Sequence, residues 1–133
     1  MSSETGDAPK LVSIIELGGY PNFTPLYQRL GCEVLVENSM RKALGLIKRY
    51  KPDVIVAEFN FQSDFRDRTS SLESMMAVVQ QLPATRVIVF YEKEFNHQLD
   101  RLRERFSFFR TIPYPIEESE LYTTVREAIG CAR

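Results

Sequence analysis

Apolar runs of strand length alternate five times with apolar residues at helical spacing, the pattern of a repeated β-α unit. Leu11 to Leu17 is the first predicted strand. Thr24-Pro25 then opens a helix, with Thr as its cap and Pro at the first helical position. Phe23, Leu26, Tyr27 and Leu30 give that helix one apolar face. Cys32 to Val36 is the second strand, followed by Ser39 as a cap and by Met40, Ala43, Leu44 and Ile47 at i, i+3, i+4 and i+7. Val54 to Phe59 is the third strand. Leu72, Met75, Met76 and Val79 stripe the next helix, and Arg86 to Tyr91 follows as the fourth strand. Phe95, Leu99, Leu102 and Phe106 stripe another helix, Phe108 to Ile112 is the fifth strand, and Leu121, Val125, Ala128, Ile129 and Ala132 mark a terminal helix.

Strands separated by helices favour a parallel sheet with right-handed crossovers and helices on both faces. The first, third and fourth strands are apolar throughout, which suits the middle of such a sheet. Ligands of these sheets sit outside the carboxyl ends of the strands, where the strand order reverses. Glu16, near the end of the first strand, and Glu58, at the end of the third, both fall at that crevice.

Composition narrows the function. The chain has 133 residues, 44% hydrophobic and 26% charged, with a formal net charge of −1. It reads as a disordered N-terminal tail over 1–10 and a single globular domain over 11–133, with nothing that calls for a polyanionic partner. No apolar run approaches the roughly 18 residues of a membrane span, and MSSETGDAPK lacks the apolar core of a secretory signal, so a cytoplasmic protein is expected. Cys32 and Cys131 lie far apart and outside any CxxC pair, and read as reduced structural thiols. His97, the single histidine, sits among Glu94, Asn96 and Gln98 as a solvated surface residue. No nucleophile and base pair, HExxH or CxxC is present, so no enzyme, cofactor or metal centre is predicted. Arg101, Arg103 and Arg105 on the fourth helix are interleaved with Asp100 and Glu104, which reads as a salt-bridged surface and not as a nucleic-acid site.

Two local pieces carry a family resemblance. KPDVIVAEFNF is similar to the PDLVLLDxxMP third strand, and YPIEESEL to the KPFxxxxL motif leading into the last helix, of the receiver domains of bacterial two-component response regulators. Together with the order of the ten elements, the chain resembles a receiver domain over residues 11–132. The resemblance implies a flavodoxin-like (CheY-like) doubly wound five-stranded parallel sheet, strand order 2-1-3-4-5.

It also implies a degenerate phosphoacceptor pocket. The family's acidic pair that holds Mg²⁺ falls on Glu16 and Leu17, its phosphoacceptor Asp on Glu58, its Thr or Ser on Phe90 or Tyr91, and its Lys on Tyr114, before Pro115. Asn60 stands where the family lends a backbone carbonyl to the metal. Losing one carboxylate to Leu17 and lengthening the others spoils an octahedral Mg²⁺ site, and losing the Lys removes a cation that phosphoryl transfer needs. Glu58 then has three readings: a relic pointing to solvent or accepting backbone hydrogen bonds, a longer acid that mimics the phosphorylated Asp, or part of a ligand site with the Gly18-Gly19 turn of LGGYPNFT.

The function this implies is a phosphorylation-independent signalling module, a pseudo-receiver acting through a protein partner or self-association. The face made by the fourth helix, the fifth strand and the last helix would carry it, through Arg103, Phe109, Arg110 and Tyr122, with Phe106 and Phe108 nearby. The alternative is a small-molecule sensor using the crevice of Glu16, Glu58, Tyr91 and Tyr114. The loop QSDFRDRTS, 62–70, is expected to be mobile.

Overall fold

The computed structural model describes residues 8–15, 22–59 and 71–132. Among them five strands, β1 (Lys10–Ile14), β2 (Glu33–Glu37), β3 (Val54–Glu58), β4 (Arg86–Tyr91) and β5 (Arg110–Pro113), alternate with five helices. These are α1 (Thr24–Arg29), α2 (Met40–Tyr50), α3 (Ser71–Val79), α4 (Asn96–Arg105) and α5 (Glu118–Ala132). All strand pairs are parallel and the order is β2-β1-β3-β4-β5. The fold is therefore the parallel sheet that the alternation implied, with the flavodoxin-like strand order that the resemblance implied. The 62–70 loop lies outside the described residues.

The continuous apolar runs of the central strands have a direct cause: both faces of the sheet are covered. β3 is buried at all five positions, and its neighbours divide their side chains between two core layers. On one face Val12, Ile14, Ile55, Ala57, Val87 and Val89 pack with residues of α2, α3 and α4. On the other, Leu11, Val54, Val56, Ile88, Phe90 and Ile112 pack with Leu26 and Tyr27 of α1 and Leu121, Val125 and Ala128 of α5. No helix of the described residues is long and apolar enough to cross a membrane.

Some boundaries differ from those read in the sequence. β1 begins at Lys10, and the Pro9 carbonyl accepts the Glu33 N–H at 2.8 Å, so order begins inside the segment read as a tail. Thr24 is helical and does not cap α1; Asn22 Oδ1 accepts the Thr24 N–H at 3.1 Å. Ser39 does cap α2, accepting the Lys42 N–H at 3.4 Å. β5 starts at Arg110, two residues later than read, and runs on to Pro113 because the Tyr114 N–H still bonds the Tyr91 carbonyl at 2.8 Å. Phe108 and Phe109 look like strand residues because both are apolar. They instead lead into β5 and pack against opposite core layers.

A polar lock holds the opposite end of the sheet. The Lys10 N–H donates to Asp53 Oδ2 at 2.9 Å, the Asp53 N–H to the Lys10 carbonyl at 2.9 Å, and the Arg86 N–H to the Asp53 carbonyl at 2.9 Å. Thr85 Oγ1 donates to the Pro52 carbonyl at 2.6 Å, and this bond is buried. These bonds fix where β1, β3 and β4 start, and so where they end. Thr85→Val leaves a buried carbonyl unsatisfied, and is expected to lower unfolding free energy by about 1–3 kcal/mol in urea denaturation; an unchanged midpoint would show that the lock contributes nothing to stability.

Candidate functional site

With the strand starts fixed, register sets what meets at their carboxyl ends. β3 and β4 pair Glu58 with Phe90, and the Phe59 N–H donates to the Phe90 carbonyl at 2.8 Å. Of the two residues that the resemblance left open, Phe90 is the one paired with Glu58. Parallel partners share a face, so Glu58 and Phe90 point to the same side as Ser13, which pairs with Val56. That is the side covered by α1.

The result, among the described residues, is a nearly filled pocket around Glu58. Phe23, just before α1, meets the Phe90 ring edge-on, with centroids 5.9 Å apart and planes at 76°. Both rings are buried, and Glu58 is only 5% exposed. The pocket that Glu58 shares with Ser13, Phe23, Tyr27 and Phe90 encloses about 10 Å³, room for one water. The reading in which this carboxylate points into solvent is thus corrected: side-chain alternation along β3 turns it under α1. Glu16, Leu17, Asn60, Gly18 and Gly19 lie outside the described residues.

Neither tyrosine of the expected crevice lines this pocket. Tyr91, one residue on from Phe90, faces the opposite core layer, where the Arg103 guanidinium sits 5.5 Å from its ring centroid. Tyr114 is 40% exposed beyond β5. In their place the pocket is closed by Phe23 and Tyr27, which the sequence presented only as part of a helix face. The Phe-Thr-Pro sequence was the available signal, because a large ring at a helix start lies next to the carboxyl ends of the strands.

The Cys32 thiol and the Tyr27 phenol are held in their neutral forms. Burial, and then the charge of Asp53, push the Cys32 thiol up from its ordinary 9.0 to about 11. Burial also raises the Tyr27 phenol far above its ordinary value, with Cys32 adding to the effect. Neither is an activated nucleophile near neutral pH.

The α4, β5 and α5 face divides into two seams. Arg103 braces α4 to β5: it donates to Asp100, to Asn96 Oδ1 at 3.0 Å and to Thr111 Oγ1 at 2.7 Å, beneath which lies Tyr91. Arg105 pairs with Glu73 of α3. At the second seam Arg110 pairs with Glu127 of α5 at 2.9 Å and lies 5.4 Å over the Phe109 ring. Phe109 and Tyr122 are half-buried against the core, and Phe106 is inside it. Phe108 and Phe109, just before β5, are each partly buried, on opposite sides of the sheet.

No protein-family model matches the chain, and no curated protein matches it. Solved structures do resemble it. A response regulator receiver domain protein of Clostridium thermocellum superposes with a TM-score of 0.74 at 17% identity, covering 92% of this chain and 94% of that one. The signal receiver domain of a putative LuxO repressor protein of Vibrio parahaemolyticus gives 0.71 at 18%, covering 94% and 92%. A LuxR-family DNA-binding response regulator of Staphylococcus aureus gives 0.71 at 16%, covering 91% and 98%. At such identities the likeness establishes the fold.

The buried thiol offers a measurement. In a Cys131→Ser variant at pH 8, Cys32 is expected to react with a disulfide reagent at least about tenfold more slowly in the native protein than in urea, since access and thiolate fraction are both reduced. Because the folded-state value is raised, the stability this thiol contributes is complete below about pH 9 and is lost as pH rises through about 11. Equal native and denatured reactivity would contradict the burial.

Proposed function

We propose that this chain is a signalling module of the receiver type that works through protein contacts and transfers no phosphoryl group. The observation that carries the reading is the pairing of Glu58 with Phe90 beneath Phe23. A phosphoacceptor must meet its donor in line, with reacting atoms about 3–3.5 Å apart. Here the carboxylate is 5% exposed in a space of about 10 Å³, and a phenyl ring occupies the place of the hydroxyl that would hold the transferred group. The Lys position holds Tyr114, which brings no cation.

The magnesium ion used by phosphorylating receivers does not fit this donor set. Mg²⁺ requires an octahedron of oxygens at about 2.0–2.1 Å, whereas Glu58 is the sole carboxylate among the described residues lining the pocket, and it is flanked by aromatic rings. A small-molecule sensor needs a crevice larger than one water, and the contact reading is favoured over it for that reason.

The likeness to receiver domains supports a signalling role, and the surface residues of α4, β5 and α5 supply the chemistry of a contact. Arg110, stacked on Phe109, and the half-buried Tyr122 form its accessible part. Arg and Tyr recur at interface hot spots because they combine apolar area with directional hydrogen bonds. Arg103 contributes by holding the seam between α4 and β5.

Incubation with a small phosphodonor and Mg²⁺ is expected to leave the intact mass unchanged, and millimolar Mg²⁺ to move the melting temperature by no more than about a degree. A gain of one phosphoryl group that disappears in Glu58→Ala would contradict the reading.

The two arginines separate fold from contact. Arg103→Ala is expected to lower unfolding free energy by about 1.5–3 kcal/mol, the range for hydrogen bonds to a charged group. Arg110→Glu is expected to cost less than about 1 kcal/mol, as for an exposed ion pair, while weakening self-association in sedimentation experiments about tenfold. Self-association untouched by Arg110→Glu would place the contact on another face.

A further inference from the structure

Arg103, Arg105 and Arg110 each have an acid beside them. α2 is built differently. Arg41, Lys42, Lys48 and Arg49, with Lys51 just beyond its end, are all exposed, and no acidic residue occurs between Glu37 and Asp53. None of the five forms an ion pair with another described residue.

Local stability does not account for this arrangement. Cations at a helix C-terminus complement the macrodipole, which suits Lys48 and Arg49. Arg41 and Lys42 stand in the first turn, where the dipole is positive and no acid offsets it. Gly45, in the middle of α2, is the least favourable helix-interior residue after proline. Packing does not require it, since a Cβ added there would meet nothing within 4 Å.

These features lie on one side of the helix. Positions 41, 45, 48 and 49 are three and four apart, with 42 beside them, so Gly45 forms a low point between two cations before it and two after. Arg41 and Lys48, seven residues apart, are separated by about 10 Å along the axis. The apolar residues Met40, Ala43 and Ile47 are turned into the core. The outer face is therefore cationic with a low centre, and it offers little apolar surface to an apolar partner.

We propose that this face of α2 docks an acidic polypeptide segment of another protein, laid over Gly45 with its carboxylates between the Arg41/Lys42 and Lys48/Arg49 pairs. Charge distribution favours a short acidic segment over a nucleic acid. Outside these five cations the chain holds 12 basic residues against 18 acidic ones, and the neighbouring strand β2 begins and ends on Glu33 and Glu37. A long polyanion running past α2 would meet that negative surface within a Debye length of about 10 Å. A short segment avoids it. Arg41 and Arg49 can each take a carboxylate through two parallel N–H donors.

The test uses the whole chain and a fluorescein-labelled octa-glutamate peptide, followed by fluorescence anisotropy at low salt, about 20 mM, and again near 150 mM, where surface charges are more strongly screened. The peptide is expected to bind, and Arg41→Glu with Lys48→Glu to weaken it at least tenfold. Arg101→Glu with Arg126→Glu, an equal change in net charge at exposed sites elsewhere, should leave binding within twofold. Gly45→Leu should melt higher, because leucine is the better helix former, yet bind several-fold more weakly, because its side chain holds the peptide away. Equal losses in the two charge-reversed variants would overturn the proposal, as would tighter binding of an oligonucleotide of the same charge. So would self-association of the chain that is abolished by the α2 reversal, since a second copy would then be the occupant.

Discussion

The register that sets Glu58 beside Phe90 governs the chemistry of this molecule. Hydrogen bonds from Asp53 and Thr85 fix where β1, β3 and β4 begin, and parallel pairing carries that alignment to their carboxyl ends. Partners in a parallel sheet share a face, so an acid at the end of β3 and a ring at the end of β4 are forced under the same helix. Phe23 completes the closure by meeting Phe90 edge-on. Where doubly wound sheets ordinarily open a ligand crevice, Phe23, Tyr27 and Phe90 here line a pocket of about 10 Å³ around Glu58.

Much of this was legible in the sequence, and the exceptions have physical reasons. Runs such as Val54-Ile55-Val56-Ala57 have no polar alternation because both faces of β3 are covered, and that made the central strands readable, while their order came from the resemblance. Boundaries were harder. Phe108-Phe109 looked like strand because apolar residues approaching a sheet from a loop pack against the same core layers as the strand itself. Thr24 looked like a cap because composition does not reveal that Asn22, two residues earlier, would supply the oxygen.

The site was half legible. Glu58 could be placed at the end of β3 from the pattern alone. Its burial could not, because that depends on which face alternation selects and on what covers the face. Tyr91 and Tyr114 were drawn to the crevice by the positions the resemblance assigned them, and one residue of alternation sent Tyr91 to the opposite layer beneath Arg103. The charges behaved likewise. Arg103, Arg105 and Arg110 stand out in the sequence but are paired with Asp100, Glu73 and Glu127, whereas the exposed cations of α2 are marked only by the absence of acids between Glu37 and Asp53.

Two-dimensional amide NMR of the labelled chain, titrated with Mg²⁺ and beryllofluoride as a phosphoryl mimic, tests the closure most directly. The account predicts that the amides of Glu58, Phe59, Phe90 and Phe23 stay in place and that no bound fluoride resonance appears, because the pocket around Glu58, at about 10 Å³, holds no more than one water. Saturable shifts at Glu58 and Phe90 together with a bound fluoride signal would contradict it, and would mean that the Phe23 ring swings aside to open a working acceptor site.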